Sequence, residues 1–229
     1  MLTAVAVNFA LTANAEDVSR RQMINVGEFT QLNVTDNICV DYVCSADSSG
    51  LAVFNGTSKD FSNFIFTNNG KGKLTVQTSL DSQKMPLLTV YSSSLQEVKN
   101  QGDSTVRVIS LAKTPSFKII TTNRGRVIAH NLDVTTVEAK IATGNGNIIV
   151  DGTCTTFKAR CVGKGEVQAD HLKATDVSCT VYGTGTVGCY VDGGNLSVTG
   201  SGTGRVYYRG KPANVKVHKL GTLKAIPLE

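Results

Sequence analysis

Hydrophobic and polar residues alternate with a period of two in short stretches that recur through the second half of the chain. The last residues of the turns inside these stretches are Ser104, Gly125, Gly146, Gly165, Gly185, Gly204 and Gly221. Successive turns lie 21, 21, 19, 20, 19 and 17 residues apart. Strict alternation buries one face of a strand. A period of this length is too short for helical repeats and is typical of a β-solenoid.

Aligned on these turns, the apolar positions form two columns that would fill a core once the repeats stack. The first column is Ile119, Ala139, Ala159, Cys179, Val198 and Val217. The second is Val106, Val127, Ile148, Val167, Val187, Val206 and Leu223. A third, less regular side is indicated by Leu132, Leu172 and Val191. The sequence therefore predicts an all-β, parallel β-helix of about seven rungs, and we expect right-handed coiling because parallel crossovers have that hand.

In the N-terminal third the alternation persists but the period is irregular. We predict a less regular β section over residues 16–93 that caps the coil, because solenoids need atypical terminal units. The repeats then occupy residues 94–229, and the two sections form one continuous domain over 16–229.

Residues 1–15 resemble the end of an export signal. Residues 2–11 are apolar, and Ala13-Asn14-Ala15 has the small-x-small pattern of a cleavage site. The basic residues that usually precede the apolar run are missing, and the alternative is an apolar first strand. No later stretch approaches the ~20 apolar residues of a transmembrane helix. We expect an exported protein in the periplasm, on the outer cell surface or in the medium.

The six cysteines leave two interpretations open. Cys161, Cys179 and Cys189 occupy inward positions and Cys44 fits an alternating stretch, as expected for free thiols that act as small hydrophobes. Two or three disulfides are the alternative in an exported chain, since Cys39 and Cys154 fall outside these positions. No CxxC and no histidine pair with ligand spacing occurs, so we predict neither a metal nor a cofactor.

The net charge is only +5, but basic residues occupy outward positions of adjacent rungs. Such a strip either discourages aggregation or attracts an acidic glycan or another polyanion. Nucleic acid is not expected as a partner, because no binding motif or interleaved aromatic residue accompanies the charge. The candidate ligand-binding residues are Lys140, Lys158, Arg160, Tyr207 and Arg209.

A catalytic alternative rests on the residues five positions after the turns, which include His130, Asp151 and Asp170. If Asp151 and Asp170 lie on equivalent positions of adjacent rungs, they could form a carboxylate pair of the glycosidase kind. The ordinary interpretation is that such residues cap turns through their side chains. The GxG turns are not phosphate-binding loops, because each one leads back into a strand rather than into a helix.

Three stretches resemble one known family. They are PLLTVYSSSLQEV at 86–98, the succession of GxG turns, and GSGTGRVYYRGKP at 200–212. Together they are similar to auto-transporter adhesins of the head GIN domain type. The resemblance implies an exported β-helical protein with the role of an adhesin, and it supplies no catalytic residues. A long, stiff coil with regularly spaced exposed side chains suits an extended ligand such as a polysaccharide or another cell-surface protein. We therefore predict a non-catalytic adhesin or glycan-binding protein, with a polysaccharide lyase or glycosidase on the same scaffold as the alternative.

Overall fold

The computed structural model describes residues 18–79 and 85–228, and the predicted export signal at 1–15 lies outside them. The described chain contains strands and one short helix, α1 (Ser58–Asn63). The strands are β1 (Arg20–Asn25), β2 (Gln31–Val34), β3 (Val40–Cys44), β4 (Leu51–Gly56), β5 (Phe64–Asn68), β6 (Lys73–Thr78), β7 (Leu88–Ser92), β8 (Glu97–Asn100), β9 (Thr105–Val108), β10 (Ser116–Thr121), β11 (Arg126–Ile141), β12 (Asn147–Gly163), β13 (Glu166–Gly183), β14 (Thr186–Asp192), β15 (Asn195–Gly202), β16 (Arg205–Lys211), β17 (Asn214–Gly221) and β18 (Lys224–Pro227).

Seven parallel rungs stack from β8 to β18 and form the predicted β-helix. The first face contains β8, β10, the C-terminal parts of β11, β12 and β13, then β15 and β17. The second face contains β9, the N-terminal parts of the same long strands, then β14, β16 and β18. Each of β11, β12 and β13 therefore turns a corner and connects one rung to the next.

The register confirms the inward columns almost completely. Ile119, Ala139, Ala159, Cys179, Val198 and Val217 are successive partners. The second column runs as predicted from Val106 to Val206, but Val206 pairs with Ala225 rather than with Leu223. Gly221 pairs with Gly202, so it is the first residue of its turn. The sequence alignment had matched it with Gly204, the last residue of the preceding turn, which is an error of two residues. Leu223 is nevertheless fully buried.

The predicted third side is also present, and it depends on one glycine. Leu132, Gly152 and Leu172 are partners in one column across three rungs, while Val191 belongs to the neighbouring column of Ala174. Gly152 has φ +118°, and a Cβ there would overlap the backbone nitrogen and oxygen of Leu132. Close approach of the two backbones therefore excludes any side chain at this position.

The N-terminal section has an order of rungs that differs from the order of the chain. β2 lies between β6 and β8 on the first face, and β3 lies between β7 and β9 on the second. The rung formed by β2 and β3 is thus enclosed by two rungs that come later in the sequence. A bidentate ion pair from Arg107 to Asp41, with both N–O distances 2.6 Å, joins β9 to β3.

Antiparallel strands and phenylalanine rings cover the N-terminal end of the core. β4 pairs antiparallel with β7 and with β1, and β5 pairs antiparallel with β6. Phe54 lies 4.7 Å from Phe64 between ring centroids, and Phe61 and Phe66 extend the cluster. A capping box between Thr57 and Asp60 starts α1 beside these rings.

All six cysteines are free thiols in the structure. Cys161, Cys179 and Cys189 are buried in the core of the coil, as the alternation predicts, whereas Cys39 is exposed. Burial raises the pKa of the Cys161 thiol to about 11. A hydrogen bond with Cys189, together with burial, raises the pKa of Cys179. These thiols therefore pack as small neutral hydrophobes.

We expect Gly152→Ala to destabilise the coil strongly, because the new methyl group meets backbone atoms that cannot move aside. Strain and overpacking should together lower the free energy of unfolding by about 2–4 kcal/mol, measured by urea unfolding. Gly193→Ala is the matched control, since Gly193 also has positive φ but nothing lies within 4 Å of its added Cβ. The control should cost about 1 kcal/mol; equal losses in the two variants would contradict the close-approach explanation.

Candidate functional site

One outward column of the first face is neutralised by its own neighbours. Glu97, Lys118, Glu138 and Lys158 follow one another in register, so the sign of the charge alternates from rung to rung. Lys118 Nζ lies 3.0 Å from a Glu97 carboxylate oxygen, and Lys158 Nζ lies 3.6 Å from a Glu138 oxygen. The predicted ligand-binding residue Lys158 is therefore already paired with an acid of the chain.

The next outward column places two positive charges side by side. Lys140 and Arg160 are direct partners in adjacent strands, which lie ~4.8 Å apart in a sheet. No ion pair neutralises either side chain within residues 18–79 and 85–228. The Arg160 guanidinium lies over the ring of Tyr182, 5.4 Å from its centroid. We call these two residues the Lys140–Arg160 pair; like charges in this position destabilise a sheet.

The Lys140–Arg160 pair borders a shallow depression of about 230 Å³ on the first face. Its lining combines charged side chains with small polar ones: Lys118, Glu138, Lys140, Lys158, Arg160, Ser178 and Thr180. The structure thus brings together three of the five predicted ligand-binding residues. Tyr207 and Arg209 lie on β16 of the second face and do not line this depression.

Asp151 has two hydrogen-bond partners where the second face meets the third side. Its Oδ2 lies 2.5 Å from His130 Nδ1, and its Oδ1 accepts the backbone N–H of Asn131 at 2.7 Å. Asn131 has φ +55°, which aims this N–H out of the regular ladder. Partial burial acts to raise the pKa of Asp151, but the hydrogen bonds from Asn131 and His130 outweigh it and hold the pKa below its usual value.

The predicted pairing of Asp151 with Asp170 is wrong in its register. A register shift follows Ile149, so Asp151 is the partner of His171, one residue beyond Asp170. The Asp170 carboxylate instead lies 3.5 Å from His171 Nε2 and 3.9 Å from an Arg209 nitrogen. Equal spacing after each turn was the assumption behind the pair, and a bulge in the strand breaks it. Each carboxylate has basic neighbours of its own.

Sequence reasoning missed a groove of about 500 Å³ on the third side. Its lining is rich in hydroxyl groups: Lys113, Thr114, Pro115, Asp133, Val134, Thr135, Thr153, Cys154 and Thr155. Residues 113–115, which form one wall, have no alternating pattern. The available signal was the recurrence of Thr-Thr at 135–136 and 155–156, one rung apart.

Within the described ranges, no group of three His, Cys, Asp or Glu side chains is arranged to hold a metal ion. The only helix in those ranges, α1, has six residues and is not long and apolar enough to cross a membrane.

A family model described as "putative auto-transporter adhesin, head GIN domain" matches residues 28–212, from just before β2 to the end of β16. The chain belongs to this family. The head GIN domain thus includes the Lys140–Arg160 pair, Asp151 and the hydroxyl-lined groove, while β17 and β18 follow it. A comparison with curated proteins gives no match.

Solved structures share the fold of this head GIN domain. A putative adhesin from Bacteroides fragilis is 18% identical with a TM-score of 0.82, covering 93% of this chain and 98% of that one. A putative adhesin from Parabacteroides merdae is also 18% identical, with a TM-score of 0.70 and coverage of 93% and 97%. A putative lipid binding protein from Parabacteroides distasonis is 16% identical, with a TM-score of 0.68 and the same coverage. At these identities the comparison establishes the architecture alone.

We expect Asp151→Asn to lower the free energy of unfolding by about 0.5–1 kcal/mol at pH 7. A carboxylate whose folded-state pKa is depressed stabilises the fold above its unfolded pKa, near 4, and loses that effect as the pH falls through the folded value. The difference between the two proteins should therefore shrink below about pH 4. Urea unfolding from pH 3 to pH 7 measures it; a difference independent of pH would show that the ionised form contributes nothing.

Proposed function

We propose that this head GIN domain is a non-catalytic, exported binding protein whose first face binds an acidic polysaccharide or a comparable polyanion of a cell surface. The observation that carries the proposal is the Lys140–Arg160 pair. Every other basic residue in the depression, Lys118 and Lys158, is neutralised by a glutamate one rung away. Unlike those two lysines, the Lys140–Arg160 pair has no acidic partner on an adjacent strand, so its positive charge is not neutralised.

An anionic ligand would relieve the repulsion within the Lys140–Arg160 pair. Arginine presents a planar fork that suits carboxylate and sulfate groups, and stacking on Tyr182 holds that fork close to the sheet. The neighbouring small side chains, Ser178 and Thr180, leave room for a chain to lie along the face. The stiff, regularly spaced coil suits an extended ligand more than a compact one.

Family membership supports an adhesin-like role and export, since the matched model is described as an auto-transporter adhesin. The relatives named as adhesins share the same architecture. The catalytic alternative has less support, because Asp151 and Asp170 are out of register and each is engaged by basic neighbours. The binding test uses polygalacturonate as a model acidic glycan and dextran as a neutral one.

The double variant Lys140→Glu/Arg160→Glu should bind polygalacturonate about tenfold more weakly than the native protein, because two attractive charges become repulsive. Lys158→Gln is the matched variant; its lysine is already paired with Glu138, so the loss should be smaller. Isothermal titration at low and physiological salt measures both, and affinity should fall with salt as screening increases.

Equal binding by the double variant, or equal binding of dextran and polygalacturonate, would overturn the proposed site. Shortening of polygalacturonate on incubation, abolished in Asp151→Asn/Asp170→Asn, would instead establish the catalytic alternative. Circular dichroism of each variant checks that the coil is intact.

A further inference from the structure

The positive charge of the chain is concentrated in its C-terminal part. Residues 193–228 contain no Asp or Glu and include six basic residues: Arg205, Arg209, Lys211, Lys216, Lys219 and Lys224. The remainder of the chain holds 17 basic and 18 acidic residues. The net charge of +5 therefore comes from the last two rungs that the structure describes, which are formed by β15 to β18.

The last strand of the first face, β17, has inward apolar side chains that no further rung covers in the described chain. Val215 and Val217 continue the inward columns of the first face, yet they are 43% and 40% exposed. Their partners in the preceding rung, Leu196 and Val198, are 1% and 0% exposed. β17 pairs with β15 on one side, and no other strand of the described chain pairs with its other edge. Main-chain N–H and C=O groups along that edge are thus available to a further strand.

Lys219 restricts which strand can pair there. It is the partner of Gly200 and occupies the inward column of Ile141, Cys161 and Val181. An inward-pointing charge on an edge strand opposes the addition of a wholly apolar segment. Burying this lysine would require a carboxylate from the added strand. On the outward side, Lys216 and His218 likewise favour acidic neighbours.

We propose that the free edge of β17 binds an extended acidic segment of a partner protein, which adds a strand to the first face. The partner segment alternates small apolar residues, facing Val215 and Val217, with acidic residues that face Lys216 and His218. An acid near its end pairs with Lys219. Main-chain hydrogen bonds supply affinity and the charges supply selectivity, as in other cases of strand addition.

A second copy of this chain does not fit the edge as well. Two β17 strands side by side would oppose Lys216, His218 and Lys219 with the same basic residues. The outer strand at the opposite end, β1, begins with Arg20 and Arg21 and is also basic. Like charges directly opposite each other destabilise a strand pair. Charge complementarity therefore favours a different, acidic chain.

The test uses the full chain and a fluorescent octapeptide that alternates valine and glutamate, except that glutamate replaces valine at the position opposite Lys219. Fluorescence anisotropy is the readout. The valine–glutamate peptide should bind and a valine–lysine peptide should not. A valine–glutamate peptide N-methylated at alternate residues keeps its charge but loses donors, so it should bind at least about tenfold more weakly. Lys216→Glu should weaken binding by about tenfold, whereas Lys164→Glu, an equal charge change in an exposed turn, should not.

Hydrogen exchange gives a second readout, because the bound peptide should slow exchange of those β17 amides that β15 leaves unpaired. Equal binding of the methylated peptide, or no added protection in β17, would overturn strand addition and leave non-specific attraction of acids. Binding to phosphatidylglycerol vesicles that Lys216→Glu abolishes, without peptide binding, would assign the end to a membrane surface instead. The Lys140→Glu/Arg160→Glu variant should retain peptide binding, which would separate this result from the proposed role of the Lys140–Arg160 pair.

Discussion

The structure depends on the stacking of apolar side chains in register from one rung to the next. A single rung is a narrow loop that cannot enclose its own inward residues, so Ala139 or Cys179 is buried only because a neighbour lies above and below it. The ladder of main-chain hydrogen bonds fixes the spacing between rungs, and side chains as small as Ala139 and as large as Phe157 fill the core between them. Outward residues are consequently held at a regular spacing as well.

This regularity is what makes the first face informative. Side chains in one outward column meet their equivalents at a fixed distance, so charged residues on adjacent strands either alternate in sign or lie beside a like charge. The column of Lys118, Glu138 and Lys158 alternates, and the column of Lys140 and Arg160 accumulates. The scaffold offers no alternative placement for these two cations, since moving either would break the register of its strand. Two cations on adjacent strands without an acidic partner are a reason to look for an anionic ligand.

The repeat predicted the coil well because its signal is local: alternation, a turn and a fixed period. Where the signal depends on contacts distant in sequence, prediction failed. The pairing of Asp151 with Asp170 assumed that every rung has the same length beyond its turn, and one bulge invalidated it. The groove beside Thr153 and Thr155 needed a wall from 113–115, in a segment without periodicity. Lys140 and Arg160 were found because their positions follow directly from the inward columns.

The enclosed rung of β2 and β3 has a consequence for how the chain reaches its final form. Its two ladders require β6 and β7 on one side and β8 and β9 on the other, so residues 31–44 cannot finish pairing until residue 108 is available. A coil that wound itself turn by turn from the leading end would leave this rung at the surface with one edge bare. The N-terminal rungs must instead form as one cooperative unit around residues 31–44, whereas the later rungs, which follow the order of the chain, can form one after another.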